Sequence, residues 1–471
     1  MADLETAPEK QRALVFQGGG SLGAYEAGAY RKIYDFLTER DRAGGKKGKN
    51  IFDIVAGTSI GAMNAAVLVS YVTEKRTYEG SSEWLINFWK YLSKESTIEM
   101  NPFFKPWWDY WHAVNRDTAS GEAARRYYSS KEFGVLGVPT VFNPFTPAID
   151  TKFYDPYNIW FKFDKEPLKR SLERFAKFPI STSYEDNQPR LILMTVDVAE
   201  GIPVTFDSYP KEDGHRKTEY GRHVTRDGKD IGFEYVIEYD EGITSDHVMA
   251  SASVPINYDY TKLEVNSYDR GANGPNMYRQ EVRNYWDGGI MTNTPFSRMI
   301  KLHRDYWKRV KGLKDRTPSL GIAVINVHPA RQEEIPTDHD GVINRDIDIR
   351  FSDRSQKDEE ILLLISDYID LVDHLSRIAK DSGADEKVIT DLLNSTTANH
   401  GMFTEPRTYR DMLEPRCIID EIIRIERKND EDTISNKTYD FSAGTVRQLV
   451  EDGFNDAHDE LTEALIKKYQ V

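Results

Sequence analysis

The sequence predicts an α/β fold on a mainly parallel sheet, because two strand–turn–helix units follow one another near its start. In the first unit the apolar run 13–16 leads into Gly18-Gly19-Gly20, then into a helical pattern through Tyr25, Ala29, Ile33 and Leu37. In the second, the apolar run 51–56 ends at Gly57, and Ala62, Ala65, Ala66 and Val69 suit one face of a following helix. A third observation is size: 471 residues, 39% hydrophobic and 30% charged, can bury a large core as one large domain or two.

Further along, residues 101–163 are crowded with aromatics such as Phe103, Phe104, Trp107, Trp108, Tyr110 and Trp111, and read as an insertion over the sheet. Mostly core packing is expected of them; a lipid-facing lid making transient membrane contact is the alternative use of such residues. Residues 191–198 form an apolar strand, and 204–239 alternate in the β manner around Asp227-Gly228, a hairpin turn signal. A short helix over 247–252 and a hairpin then bring the chain to Trp286-Asp287-Gly288-Gly289, and 320–327 supply another buried strand. The remainder is mostly helical, with a strand over 417–425. The longest pattern, 355–379, carries Ile361, Leu364, Ile365, Tyr368, Leu371, Val372 and Leu375 at helical spacing. Its stripe most simply packs on the sheet domain, although a homo-oligomer contact would use the same pattern. The expected division is a catalytic domain over 1–330 and a mostly helical C-terminal extension over 331–471 packed on it.

Composition narrows the function. A formal net charge of -15 without a strongly basic segment argues against a nucleic-acid partner, and the short run 44–49 reads as a solvated loop. One cysteine, Cys417, excludes an intrachain disulfide, and the first residues lack the basic and apolar regions of a secretory signal, so a cytoplasmic location is expected. The apolar stretch 51–72 is interrupted by Asp53, Gly57, Thr58, Ser59, Gly61 and Asn64, which favours a strand, turn and buried helix over a membrane span.

Three motifs carry chemistry. Gly57-Thr58-Ser59-Ile60-Gly61 matches the G-x-S-x-G nucleophile elbow between a strand and a helix, where flanking glycines let the backbone bend sharply and push the serine out at the sheet edge. An ordinary Gly-Ser turn would satisfy the same short pattern. Gly18-Gly19-Gly20-Ser21-Leu22-Gly23 opens a helix after a strand, so its N–H groups can converge on an anion with help from the helix dipole. Gly18, Gly20 and Gly23 also satisfy the dinucleotide pattern G-x-G-x-x-G, but the second strand ends in a serine turn, not in an acidic residue placed for a ribose, and Asp53 is read inside the strand. Asp287-Gly288-Gly289 taken alone would be a common turn.

Together, in this order and setting, the three motifs resemble the patatin-like phospholipase family. The similarity extends to Thr195-Val196-Asp197-Val198 with Gly201, to Ala250-Ser251-Ala252-Ser253-Val254-Pro255, and to Tyr439-Asp440-Phe441-Ser442 with the helix behind it, which is similar to an extension in some bacterial members. The resemblance implies a three-layer α/β/α sandwich and a Ser–Asp dyad of Ser59 and Asp287, acting on the carboxylic esters of phospholipids or other acyl lipids without a metal or organic cofactor. It carries the oxyanion hole over to the backbone of Gly18, Gly19 and Gly20, with Gly23, Gly57, Gly61, Gly288 and Gly289 supporting the turns. Many relatives place Arg or Lys after the glycine triplet, where this chain has Ser21 and Leu22.

Rival assignments have weaker support in the residues. A Ser-His-Asp triad would draw on His247, His303 or His328, none within a motif, and the ten histidines show no zinc spacing. A catalytically silent lipid-binding scaffold of the same fold and a nucleotide-binding oxidoreductase are the alternatives outside the hydrolases.

Overall fold

A computed structural model describes residues 7–45, 50–95, 106, 119–144, 161–226, 229–269, 278–313, 317–332, 335–397, 408–413, 417–428 and 434–469. The strands are β1 (Lys10–Phe16), β2 (Ile54–Thr58), β3 (Asn143–Pro144), β4 (Phe163–Asp164), β5 (Arg190–Asp197), β6 (Ile202–Asp207), β7 (Lys217–Arg226), β8 (Lys229–Glu238), β9 (Thr261–Asp269), β10 (Tyr278–Asp287), β11 (Ser319–Asn326) and β12 (Ile419–Glu426). The helices are α1 (Gly23–Ala43), α2 (Ile60–Lys75), α3 (Ser81–Leu92), α4 (Ala119–Leu136), α5 (Glu166–Phe175), α6 (Ser245–Ser251), α7 (Phe296–Asp305), α8 (His339–Phe351), α9 (Ser355–Asp381), α10 (Glu386–Leu393), α11 (Tyr409–Leu413) and α12 (Ala443–Tyr469).

Ten strands form one sheet in the order β12-β11-β1-β2-β5-β10-β9-β8-β7, with β6 paired to β5. The pairs from β12 across to β5 are parallel, and those from β5 onward are antiparallel. Alternation along the central strands sends side chains to two cores, which makes the molecule three-layered. Leu14 and Phe16 face the layer of α1, α2, α3 and α12. Ala13, Val15, Ile54, Ala56, Ile322 and Val324 face Phe296, Met299 and Ile300 of α7.

β7 and β8 pair with Arg226 opposite Lys229, the register of a two-residue hairpin connection, while Asp227 and Gly228 themselves lie outside the described residues. Phe103, Phe104, Trp107, Trp108, Tyr110 and Trp111 also lie outside them. The described part of 101–163 packs through Phe142, whose ring lies 4.6 Å from Phe163 and 6.2 Å from both Tyr439 and Phe441.

Two expectations are corrected. Asp53 precedes β2 instead of lying within it, and its carboxylate accepts the Arg12 N–H at 2.8 Å. The apolar stripe of α9 does not pack on the sheet: Ile361, Leu364, Tyr368, Leu371 and Leu375 are all more than half exposed. In its first turns Leu362 joins the α7 core and Glu359 pairs with Arg424 at 2.7 Å. Periodicity shows that a helix has an apolar face, not what the face meets.

The strand β12 and the helix α12 join the body directly. α12 crosses α1 at two glycines where backbone meets backbone: a Cβ on Gly28 would stand 1.9 Å from the Val450 carbonyl oxygen, and one on Gly453 would stand 2.0 Å from that of Tyr25. Tyr25 also donates its hydroxyl to Asp456 at 2.8 Å. Helix propensity alone would make Gly453→Ala a gain of about 1 kcal/mol. The crossing reverses the sign, and we expect Gly453→Ala to lower stability by about 1–3 kcal/mol through overpacking, read as a reduced urea midpoint.

Candidate active site

Ser59 follows the last residue of β2 and caps α2, with φ 57° and ψ −126°. A non-glycine residue in this left-handed region stores strain of about 1–3 kcal/mol, which only surrounding structure can hold in place. Gly57 and Gly61 make the turn sterically feasible: a Cβ on Gly57 would lie 2.2 Å from the Gly61 oxygen, and one on Gly61 would lie 2.7 Å from the Phe16 oxygen. The Ser59 N–H donates to Ser251 Oγ at 2.9 Å, and Ser251 in turn donates to the Met194 carbonyl at 2.5 Å. Ser251 therefore fastens the elbow to β5.

Asp287 ends β10, whose last residues pair with Thr195–Asp197 of β5. Since β5 lies between β2 and β10, the sheet order brings Ser59 and Asp287 together although they are 228 residues apart. Ser59 Oγ donates to Asp287 Oδ2 at 2.5 Å, and the Gly289 N–H donates to Oδ1 at 2.7 Å. The Asp287 N–H donates to the Ser253 carbonyl at 2.9 Å. Burial pushes the Asp287 carboxyl up to about 7, against the opposing effect of these two hydrogen bonds to its oxygens.

The glycine loop closes over the pair, but its three N–H groups differ. That of Gly18 donates to the Asn293 carbonyl at 3.3 Å, whereas those of Gly19 and Gly20 meet no acceptor among the described residues. Asn293 Nδ2 reaches the Gly18 carbonyl at 3.2 Å and that of Phe351 at 2.7 Å. Gly23 starts α1 against Trp89 and Ile60, and Gly288 passes so close to the Met194 carbonyl that a Cβ would stand 2.4 Å from it.

Around these groups lies a cavity of about 340 Å³. Met63, Val141, Phe142, Leu168, Val254 and Phe441 give it an apolar wall, and Ser435, Asn436 and Thr438 a polar one. Residues from α8 and from 435–441 thus complete a site that the sequence motifs place entirely before residue 290.

None of the three histidines weighed as alternative bases is bonded to Ser59. His247 closes a capping box with Thr244 and His303 binds the Pro318 carbonyl, and burial pushes both down to about 4. His328 binds Asp348. Among the described residues no cluster of His, Cys, Asp or Glu has the arrangement of a metal site, and no helix is long and apolar enough to cross a membrane. Ser251 and Asn293 were not singled out individually by sequence reasoning; Ser251 lies within a block whose similarity was noted, while Asn293 had only its place shortly after Asp287-Gly288-Gly289.

A three-layer α/β fold with a serine on a strained strand-to-helix turn, facing a buried aspartate, defines an α/β protein of the nucleophile-elbow type. The chain belongs to the patatin-like phospholipase family, whose model matches residues 14–300. Among solved structures it is similar to VipD from Legionella pneumophila, at 13% identity over 97% of this chain and 67% of that one, with a TM-score of 0.30, too low to establish a common fold. None of the curated proteins matches it in sequence.

Because Asp287 holds its proton more tightly folded than unfolded, its contribution to stability is fully present below a pH of about 4 and is lost as pH rises through about 7. Asp287→Asn keeps the shape without the buried charge. Its melting temperature should exceed that of the native protein at pH 8, and the difference should narrow as pH falls and close by about pH 4 in a thermal series.

Proposed function

We propose that the chain hydrolyses carboxylic esters of acyl lipids through an acyl-Ser59 intermediate, with Asp287 as general base. The observation that carries this is the 2.5 Å contact between Ser59 Oγ and a buried carboxylate at the wall of an apolar cavity. Ser59 Oγ attacks the ester carbonyl as its proton passes to Asp287 Oδ2. The negative oxygen is received by the N–H groups of Gly19 and Gly20, with Gly18 holding the loop in position. Collapse of the tetrahedral centre releases the alcohol, which takes the proton from Asp287. Water then attacks the acyl ester, gives a proton to Asp287, and releases the fatty acid as Ser59 is reprotonated. Loss of a single oxyanion donor typically costs about 100-fold in turnover, so the loop matters as much as the dyad.

The cavity supports the lipid part of this assignment. Its apolar wall suits an acyl chain, and Ile290 and Ile343 line it while remaining exposed, so the entrance is apolar too. The lone Cys417 supports a reducing compartment such as the cytoplasm.

A fluorophosphonate probe and a p-nitrophenyl ester test the mechanism. We expect Ser59→Ala to lose both labelling and turnover, and folded Asp287→Asn to lose turnover by at least about 100-fold. Folded native protein with neither activity would instead be a lipid-binding scaffold. The ionised carboxylate is the base, so kcat/KM should fall as pH drops through about 7, with a single acid limb.

A further inference from the structure

Beyond the stretch matched by the family, three buried titratable side chains meet, and one of them, His328, lines the same cavity. His328 lies two residues beyond β11, Asp348 belongs to α8, and Lys437 opens the one-turn helix Lys437–Tyr439. Asp348 Oδ1 is bonded to His328 Nδ1 at 3.0 Å and accepts from Lys437 Nζ at 2.5 Å, and all three side chains are at most 3% exposed. Burying a charge is costly unless it is paired, and here one carboxylate and one ammonium cancel. The imidazole is left neutral: burial, reinforced by the Lys437 charge, holds it below its ordinary range despite the Asp348 contact.

The carboxylate fixes the tautomer. With the proton on Nδ1 facing Asp348, Nε2 presents a lone pair. That atom has no hydrogen-bond partner among the described residues, and it lies 3.6 Å from where a Cβ on Gly19 would stand. His328 lines the cavity together with Ser435, Asn436 and Thr438, whose loop it meets through Asp348 and Lys437, and with Phe351, whose ring lies 5.7 Å from it. A buried acceptor beside Gly19 of the proposed oxyanion loop selects for a donor. Among the described residues no lysine or arginine lines this cavity, so nothing there neutralises a phosphate.

Resting on the hydrolase assignment above, we propose that His328 Nε2 accepts a hydrogen bond from a free hydroxyl on the alcohol part of the substrate, making hydroxyl-bearing neutral acyl esters such as monoacylglycerols the preferred class. Asp348 and Lys437 act through His328 and are positioning residues.

The test compares 1-monooleoylglycerol with its analogue methylated on both free hydroxyls, by kcat/KM on the native enzyme, His328→Leu and His328→Gln, with fluorophosphonate labelling of Ser59 in each. Native enzyme should favour the free-hydroxyl ester about tenfold, the range of one hydrogen bond. His328→Leu should abolish that ratio, and His328→Gln, which keeps an acceptor oxygen at similar reach, should retain part of it. Equal rates on the two esters with native enzyme would overturn the assignment even if His328→Leu failed to fold, as would a ratio that survives in folded His328→Leu. An acyl-enzyme burst with both esters in His328→Leu would assign Nε2 to the deacylating water and likewise overturn it. Absence of Ser59 labelling in native enzyme would sink the hydrolase assignment itself, which the labelling arm separates from a failure confined to His328.

Discussion

Everything around the site answers to one cost, that of keeping a carboxylate out of water beside a serine. Asp287 is only 4% exposed, and among the described residues its two oxygens are met by Ser59 and Gly289 alone. Such a group holds its position only if the chain on both sides is fixed. β10 is paired on both edges near its end, to β5 and to β9, and Gly288 passes over Met194 where no side chain would fit. The strain at Ser59 is of the same kind. It is contained by Ser251, by the tight approach of Gly57 and Gly61, and by the start of α2. Stability is spent locally to hold the serine and the aspartate in contact, a trade common at sites where function opposes stability.

Ion pairs serve that same rigidity at a distance. Asp197, inaccessible at the end of β5, is bound by Arg283 of β10 at 2.6 Å, and the Arg283 guanidinium lies 3.9 Å from the Tyr235 ring centre. Arg190 at the opposite end of β5 pairs with Asp207 of β6 at 2.5 Å. Both pairs are largely removed from solvent, where an isolated partner would be costly, so each ties its strands into a single register. The strand that separates Ser59 from Asp287 is thereby held at both ends.

Much of this could be read in the sequence because local chemistry and global structure agree there. The β1–α1 and β2–α2 units follow from apolar runs ended by glycine, and the elbow follows from Gly57, Ser59 and Gly61. The block around Ser251 and Ser253 was visible as a similarity, but its task, bonding Ser59 on one side and Asp287 on the other, depends on sheet order that spacing does not contain. The unequal state of the glycine N–H groups was hidden for a related reason, since Gly18 is engaged by Asn293 from a segment 275 residues away. The α9 stripe misled because amphipathicity identifies a face without its partner. The polar side of the cavity carried no signal, as Ser435, Asn436 and Thr438 form no motif and acquire meaning only when their loop meets α8 and the glycine turn.

That late loop also bears on how the protein matures. Ser21 Oγ donates to the Lys437 carbonyl at 2.6 Å, and Thr438 stands against Gly20 so closely that a Cβ there would meet its carbonyl oxygen at 2.5 Å. The wall beside the glycine turn is thus made from residues more than 400 positions later in the sequence. A nascent chain reaching residue 300 already carries the serine, the aspartate and the glycine turn, yet lacks one side of the chamber in which they would work. The chamber is therefore complete only once the residues after 434 have joined the glycine turn near the start of the sequence.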